Sequence, residues 1–201
     1  RGAAESEKRR HIVDAARSVF DRVGYEAATM DEVARVARIS KATLYGLFPN
    51  KAALFGAHVD DMCRALSLDL FSFVDTAQPP AVVLATLGRH FLAAVLRDEA
   101  VQTERNVIAE AARYPAWAEA MEAAGPRLSA QLLGRYLEDL GRRAVLAIPD
   151  AGLAAEHFIA LCQARVGRQR LLGLAPALTP ADIERQVDAA VTVFLRGYAA
   201  R

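Results

Sequence analysis

The stretch from residue 29 to residue 51, TMDEVARVARISKATLYGLFPNK, leaves the chain few ways to fold. Thr29 is a good helix N-cap, and Glu32 stands three residues on, where a capping box needs it. Val33, Ala34 and Ala37 then share one helical face. Arg38 and Ile39 make a turn, Ser40 is placed to cap a second helix, and Pro49 ends it. Leu44 and Phe48, four apart, give that second helix one buried side, which leaves Lys41, Ala42, Thr43, Tyr45 and Gly46 facing outward. Two short helices joined by a tight turn, the second polar on its free side, have the geometry that places a helix in a DNA major groove.

The rest of the chain reads as helix after helix. Hydrophobic residues make up 53% of the 201, and β-branched residues are sparse outside short patches, which favours an all-α fold over sheet. The first helix is expected over 6–23, where Ile12, Ala15, Ala16, Val19, Phe20 and Val23 draw one apolar stripe before Gly24 ends it and Tyr25 locks the end. Residues 1–7 are polar and expected to fray. After the helix pair, Asn50 caps a long helix over 51–73 that leaves the first domain and enters the second. Further helices are expected over 81–96, 99–113, 116–141 (kinked or divided at Gly125-Pro126), 151–172 and 179–200, the last opened by Thr179-Pro180. The domain boundary falls after residue 50: a helix-turn-helix domain over 1–50 and a larger helical domain over 51–201.

Charge supports this division weakly. Residues 1–51 hold ten Lys and Arg against seven Asp and Glu, and the remainder fifteen against seventeen. The basic surplus lies with the helix pair, where phosphate contacts would want it, and Lys8, Arg9 and Arg10 could reach phosphates or face solvent. Cys63 and Cys162 sit in apolar helical patterns and read as buried thiols of a reducing compartment. His11, His58, His90 and His157 show no metal-ligand spacing, and neither a phosphate-binding glycine loop nor a nucleophile motif is present. No enzymatic activity, catalytic residue, metal or cofactor is expected. No signal peptide and no spanning apolar run is read in the sequence, so a cytoplasmic protein is expected.

Phe20, Gly24, Tyr25, Thr29, Val33-Ala34, Ala37, Ser40, Thr43-Leu44-Tyr45, Phe48, Lys51 and Leu54, at these spacings, resemble the DNA-binding domain of the TetR/AcrR family of transcriptional regulators. The segment over 103–126, with VIAEAARYP and EAAGP, looks like the ligand domain of the AefR-like subgroup. The resemblance implies an N-terminal three-helix DNA-binding domain, a C-terminal ligand-binding and dimerisation domain, and a homodimer on a pseudo-palindromic operator. Carried over by position, Lys41, Ala42, Thr43, Tyr45 and Gly46 would face DNA, with Thr29 and Lys51 holding phosphates at helix N-termini. Two residues depart from the family pattern. Arg38 stands where the family often has glycine; if left-handed it is strained by about 1–2 kcal/mol, and it is also a candidate phosphate contact. Leu47 stands where the family often has histidine.

The last two helices carry the expected dimer interface: Phe158, Ala164, Gly167, Val187, Val191, Phe194 and Tyr198, with Ala160 another small residue at close-packing spacing. The alternative is that these residues close the domain's own core. His90, Phe91, Val95, Arg105, Ile108, Trp117, Met121, Phe158 and Cys162 are the candidate effector pocket, an apolar lining with one cation that would suit a small apolar or amphipathic molecule; ordinary core is the competing reading for each. Three functions stay open: a repressor released by an effector, a DNA-binding protein whose second domain only dimerises, and a helical interaction protein that has lost DNA binding.

Overall fold

The computed structural model describes residues 2–72 and 75–200, with side chains from Glu5 onward. Among the described residues lie ten helices: α1 (Gly2–Ala27), α2 (Met30–Val36), α3 (Lys41–Leu47), α4 (Lys51–Asp69), α5 (Pro80–Val95), α6 (Asp98–Glu110), α7 (Pro115–Ala124), α8 (Pro126–Arg142), α9 (Ala151–Leu171) and α10 (Pro180–Gly197). The only β-type pairing among them is an isolated bridge between Leu146 and Ala199. The fold is therefore all-α, as the composition and periodicity require. No single helix among the described residues is long and apolar enough to cross a membrane.

Several boundaries differ from expectation by a few residues. α1 is already helical at Gly2, whereas a frayed segment was expected up to residue 7; Arg1 lies outside the described residues. α4 ends at Asp69, and the expected end at Phe73 lies outside the described residues. The stretch expected over 116–141 is divided at Gly125-Pro126, as the sequence suggests: Gly125 leaves helical geometry (φ −101°, ψ −98°) and Pro126 restarts the chain at the first position of α8.

The chain forms two compact units. The first comprises the described residues up to Cys63 together with Asn106–Ala123, and the second the described residues of Arg64–Arg105 with those from Ala124 onward. The first unit thus takes in the start of α4, the end of α6 and nearly all of α7, beyond the boundary drawn after residue 50.

An aromatic cluster closes the first unit. Gly24, at φ 76° and ψ 167°, breaks the helical path of α1 in a region that only glycine adopts freely, and this turns Tyr25 inward. The Tyr25 ring meets Phe55 and Trp117 at 4.8 Å each, and Phe55 meets Phe20 at 5.1 Å and Trp117 at 4.6 Å. Trp117 donates its indole N–H to the Ala52 carbonyl at 2.9 Å, so its one polar atom is satisfied in the core. Gly56 makes room for it: a Cβ there would lie 3.1 Å from the indole.

The second unit's core is mostly aliphatic, with one edge-on aromatic pair, Phe158 and Phe194. Leu84, Leu87 and Leu92 of α5, Leu133 and Leu137 of α8, Phe158 and Cys162 of α9, and Val187 and Phe194 of α10 share one core. Gly88 allows close approach there, since a Cβ would fall 2.7 Å from Val187 and 3.2 Å from the Cys162 sulfur. Burial pushes the Cys162 thiol up to about 12, so it packs as a neutral hydrophobe. α10 opens on a complete capping box between Thr179 and Asp182. At the other end of α9, buried Arg170 donates to the carbonyls of Leu96 and Ala175 and pairs with Asp98, fixing the α5–α6 corner against the loop after α9.

Candidate nucleic-acid interface

The helix pair is built from local hydrogen bonds. Thr29 caps α2 by accepting from the Glu32 N–H at 3.2 Å. The reciprocal half of the expected capping box is absent, because the Glu32 carboxylate turns to Arg22 of α1 at 2.7 Å and so ties α2 to the helix before it. The turn is a Schellman motif: Ile39 N–H donates to Ala34 O and Arg38 N–H to Arg35 O, with Arg38 left-handed at φ 53°. Arg38 therefore occupies the position where glycine would be relaxed. His11 of α1 bonds the Ala37 carbonyl at 2.9 Å and pins the same turn. Ser40 caps α3, accepting from Thr43 N–H at 3.1 Å and donating its hydroxyl to Thr43 Oγ1 at 3.0 Å.

α3 buries Leu44 completely, and Phe48 just beyond its end is 1% exposed. Lys41, Ala42, Tyr45 and Gly46 are exposed, and Thr43 is half-buried. Tyr45 keeps 47% of its surface in solvent, so it does not pack beneath the domain. Arg9, one of the candidate phosphate contacts, instead covers Phe48 with its guanidinium 4.3 Å from the ring centre. Lys41 pairs with Asp31 Oδ2 at 2.6 Å; that hydrogen bond, and then the charge behind it, hold its ammonium above the usual lysine pKa.

The Lys51 side chain is engaged within its own unit. Its ammonium donates to the carbonyls of Tyr25 at 2.7 Å, Glu26 at 3.0 Å and Ala28 at 3.1 Å, and it lies 4.4 Å from the Tyr25 ring centre. An ammonium has three donors, and all three are used. The side chain ties off the carbonyl-rich end of α1.

The candidate effector residues are divided between the two units. Ile108, Trp117 and Met121 belong to the first unit, where Ile108 is 60% exposed and Trp117 is a wall of the aromatic core. His90 is exposed on α5. Arg105 spends its guanidinium on the carbonyls of Leu171 at 2.8 Å and Arg170 at 2.6 Å, closing the end of α9. Phe158 and Cys162 are core, and Phe91 and Val95 are half-buried against it.

The candidate dimer residues divide as well. Phe158, Val187, Val191 and Phe194 are buried in the core of their own chain, so the α10 stripe is spent inward. Ala164 is exposed; Tyr198 and Gly167 are half-buried, Tyr198 against the core with its ring 4.7 Å from that of Phe194. Ala164 also interrupts α9, at φ 26° and ψ −129°. Ala164 and Tyr198 line an almost wholly apolar groove of about 420 Å³ with His157, Ala160, Leu161, Val193, Gly197 and an edge of the buried Phe194. His157 and Tyr198 are joined across it at 2.8 Å. Periodicity alone points to the inward stripe; the signal for the groove is the set of small residues, Ala160, Ala164 and Gly197, on the opposite faces.

Comparison with known proteins agrees with this architecture. Residues 12–58 match the bacterial regulatory proteins of the tetR family, and residues 82–200 match the C-terminal domain of AefR-like transcriptional repressors. Over 80 residues the chain is 40% identical to the A-factor receptor protein of Streptomyces griseus, covering 37% of this chain and 29% of that one. The chain spans under two-fifths of the curated relatives it matches. Among solved structures, the flavonoid-responsive regulator FrrA superposes with a TM-score of 0.78 and 30% identity, over 98% of this chain and 99% of that one. A TetR-family protein of Mesorhizobium loti MAFF303099 superposes with a TM-score of 0.83 and 26% identity, over 96% and 98%. The family consists of transcriptional regulators that bind DNA as dimers, not of enzymes. With one family model covering the helix pair and the other more than half its length, this chain belongs to the TetR family of bacterial regulatory proteins, with an AefR-like C-terminal domain.

Proposed function

We propose that this chain is a homodimeric, cytoplasmic repressor that holds a pseudo-palindromic operator and releases it on binding a small apolar or amphipathic effector. The observation that carries the reading is the outward face of α3. Lys41, Ala42, Tyr45 and Gly46 are exposed on a helix whose other side is locked into the core by Leu44. Tyr45 and Thr43 offer hydroxyls, Lys41 an ammonium, and Ala42 a methyl group for thymine. Thr29 and Arg38 flank this face and would meet the backbone. Two copies joined through the α9–α10 groove would present two such helices, and a two-fold pair of reading helices calls for half-sites about one helical turn or a small multiple apart.

A second copy suits the groove. Ala160, Ala164 and Gly197 let backbones approach closely, and Val193, 55% exposed, stands among them. The flavonoid response that gives one solved relative its name supports this effector class, so planar, mostly apolar phenolics are the first compounds to try. α4 and α6 each contribute residues to both compact units and are the continuous elements through which an effector would act on the helix pair. The effector shifts the equilibrium only by its differential affinity for the two states, typically ~1–3 kcal/mol.

Selection of bound duplexes from a randomised library tests the DNA reading. The expected product is a two-fold symmetric consensus. Recovery of no enriched sequence, or of an asymmetric single site bound by a monomer, rules it out.

A further inference from the structure

Lys41 is the only charged residue in α3, whose sequence is KATLYGL. Its ammonium lies 2.6 Å from Oδ2 of Asp31, in the first turn of α2. Both side chains are solvated, with 63% and 61% of their surface exposed, so neither is needed by the core. The reading helix therefore approaches DNA with its one positive charge cancelled, and with a carboxylate carried beside it. Asp31 is free of the capping that occupies its neighbours: Thr29 takes the Glu32 N–H, and Glu32 takes Arg22.

Non-specific binding is almost wholly electrostatic, one lysine–phosphate contact adding close to one unit of log–log salt slope. A lysine already held by a carboxylate gains little from a phosphate, because it exchanges one anion for another and leaves the carboxylate facing the DNA. A guanine edge is different. Its O6 and N7 are acceptors at a fixed place on the base, and they reward Lys41 only in the right sequence and register.

We propose that Asp31 is a specificity-determining residue of the DNA interface: by holding Lys41, it withholds the reading helix's only cation from random phosphate backbone. The proposal rests on the reading that α3 enters the groove. It places the discrimination in a counter-charge on α2, outside the residues that touch bases.

The test is a double-mutant cycle on the full chain with a random-sequence duplex, titrated over a series of salt concentrations. Asp31→Asn should tighten binding roughly threefold or more at low salt and steepen the log–log slope by about one unit. In the Lys41→Ala background the same substitution should do less than half of this, because there is no cation to release. Thermal midpoints of all four proteins within about 2 °C of one another would show that the exposed pair is not structural. Equal gains in both backgrounds would overturn the proposal, since Asp31 would then act as a plain surface anion, and so would the absence of any gain in the parent protein. If none of the four binds duplex at all while each remains folded, the DNA-binding reading falls, and this proposal with it.

Discussion

The outward face of α3 and the apolar stripe of α10 began as the same kind of expectation, a helix face assigned to a partner outside the chain. α3 keeps its polar face in solvent and buries only Leu44 within the helix. α10 turns its stripe into its own core, where Val187 and Phe194 are 0% and 1% exposed. A seven-residue helix has room for one buried side, so the rest of it must be free. An eighteen-residue amphipathic helix announces that a face is buried, but the periodicity does not say against what.

The largest expected effect separates the two faces of α10. Phe194→Asp buries an unpaired carboxylate in the aliphatic core and should cost more than about 4 kcal/mol, unfolding the second unit. Val193→Asp, one residue earlier and on the groove, should leave the protomer's stability within about 0.5 kcal/mol while dissociating the dimer. Sedimentation with thermal melting of both variants decides it. A folded, monomeric Phe194→Asp protein would return the stripe to the interface.

A second difference is internal to the first unit. His58 is 1% exposed between Phe20 and Phe55, its Nε2 without a hydrogen-bond partner, and burial, followed by the charge of Arg17, lowers its pKa from 6.5 to about 4. The unfolded chain takes up this proton first. The stabilisation of the neutral ring is therefore complete above pH 6.5, falls by about 1.4 kcal/mol per unit as the pH drops toward 4, and is lost below that, a total on the order of 3 kcal/mol. Denaturant titrations between pH 7 and 4 should show this slope, and His58→Leu should remove that part of it. An unchanged slope in the variant would assign the acid sensitivity elsewhere.

Lys51 sharpens the contrast between residues that face DNA and residues that only stand near it. Lys51→Met keeps the stem but strips three carbonyls of a charged donor, and should cost about 1–3 kcal/mol of stability. It should leave the salt slope for random DNA unchanged. A slope lower by about one unit with no loss of stability would restore the phosphate role. Arg38→Gly is a smaller step in the opposite direction. Relief of the left-handed backbone, less the entropy glycine loses on folding, should stabilise the protein by up to about 1 kcal/mol, read as a rise in thermal midpoint.

These cases show what the sequence could carry. Caps, turns and breaks depend on neighbours in the chain, and they were legible: Thr29, Ser40, Asn50, Asp150 and Thr179 cap helices, Gly24 breaks α1, and Gly125-Pro126 divides α7 from α8. The exposed face of α3 was legible for the same reason. The carbonyls that hold the Lys51 ammonium lie 23 to 26 residues away, beyond the reach of local patterning. The carbonyls that Arg105 closes belong to α9, 65 and 66 residues on, and are equally invisible to it. Trp117 has the size and polarity of a pocket residue, but the Gly24 break brings Tyr25 against it and makes it core. Long-range partners decide whether a polar or aromatic side chain is spent or available, and one-dimensional patterning does not record them.

The central claim is that α3 reads DNA with the side it keeps in solvent, and Tyr45→Ala tests it most directly. Tyr45 is half exposed and outside the core, so the variant should melt within about 0.5 kcal/mol of the parent protein. Its affinity for the selected two-fold symmetric duplex should fall by roughly tenfold or more, with affinity for random duplex nearly unchanged. Equal losses on both duplexes would reduce Tyr45 to a positioning contact, and no loss on either would contradict the account.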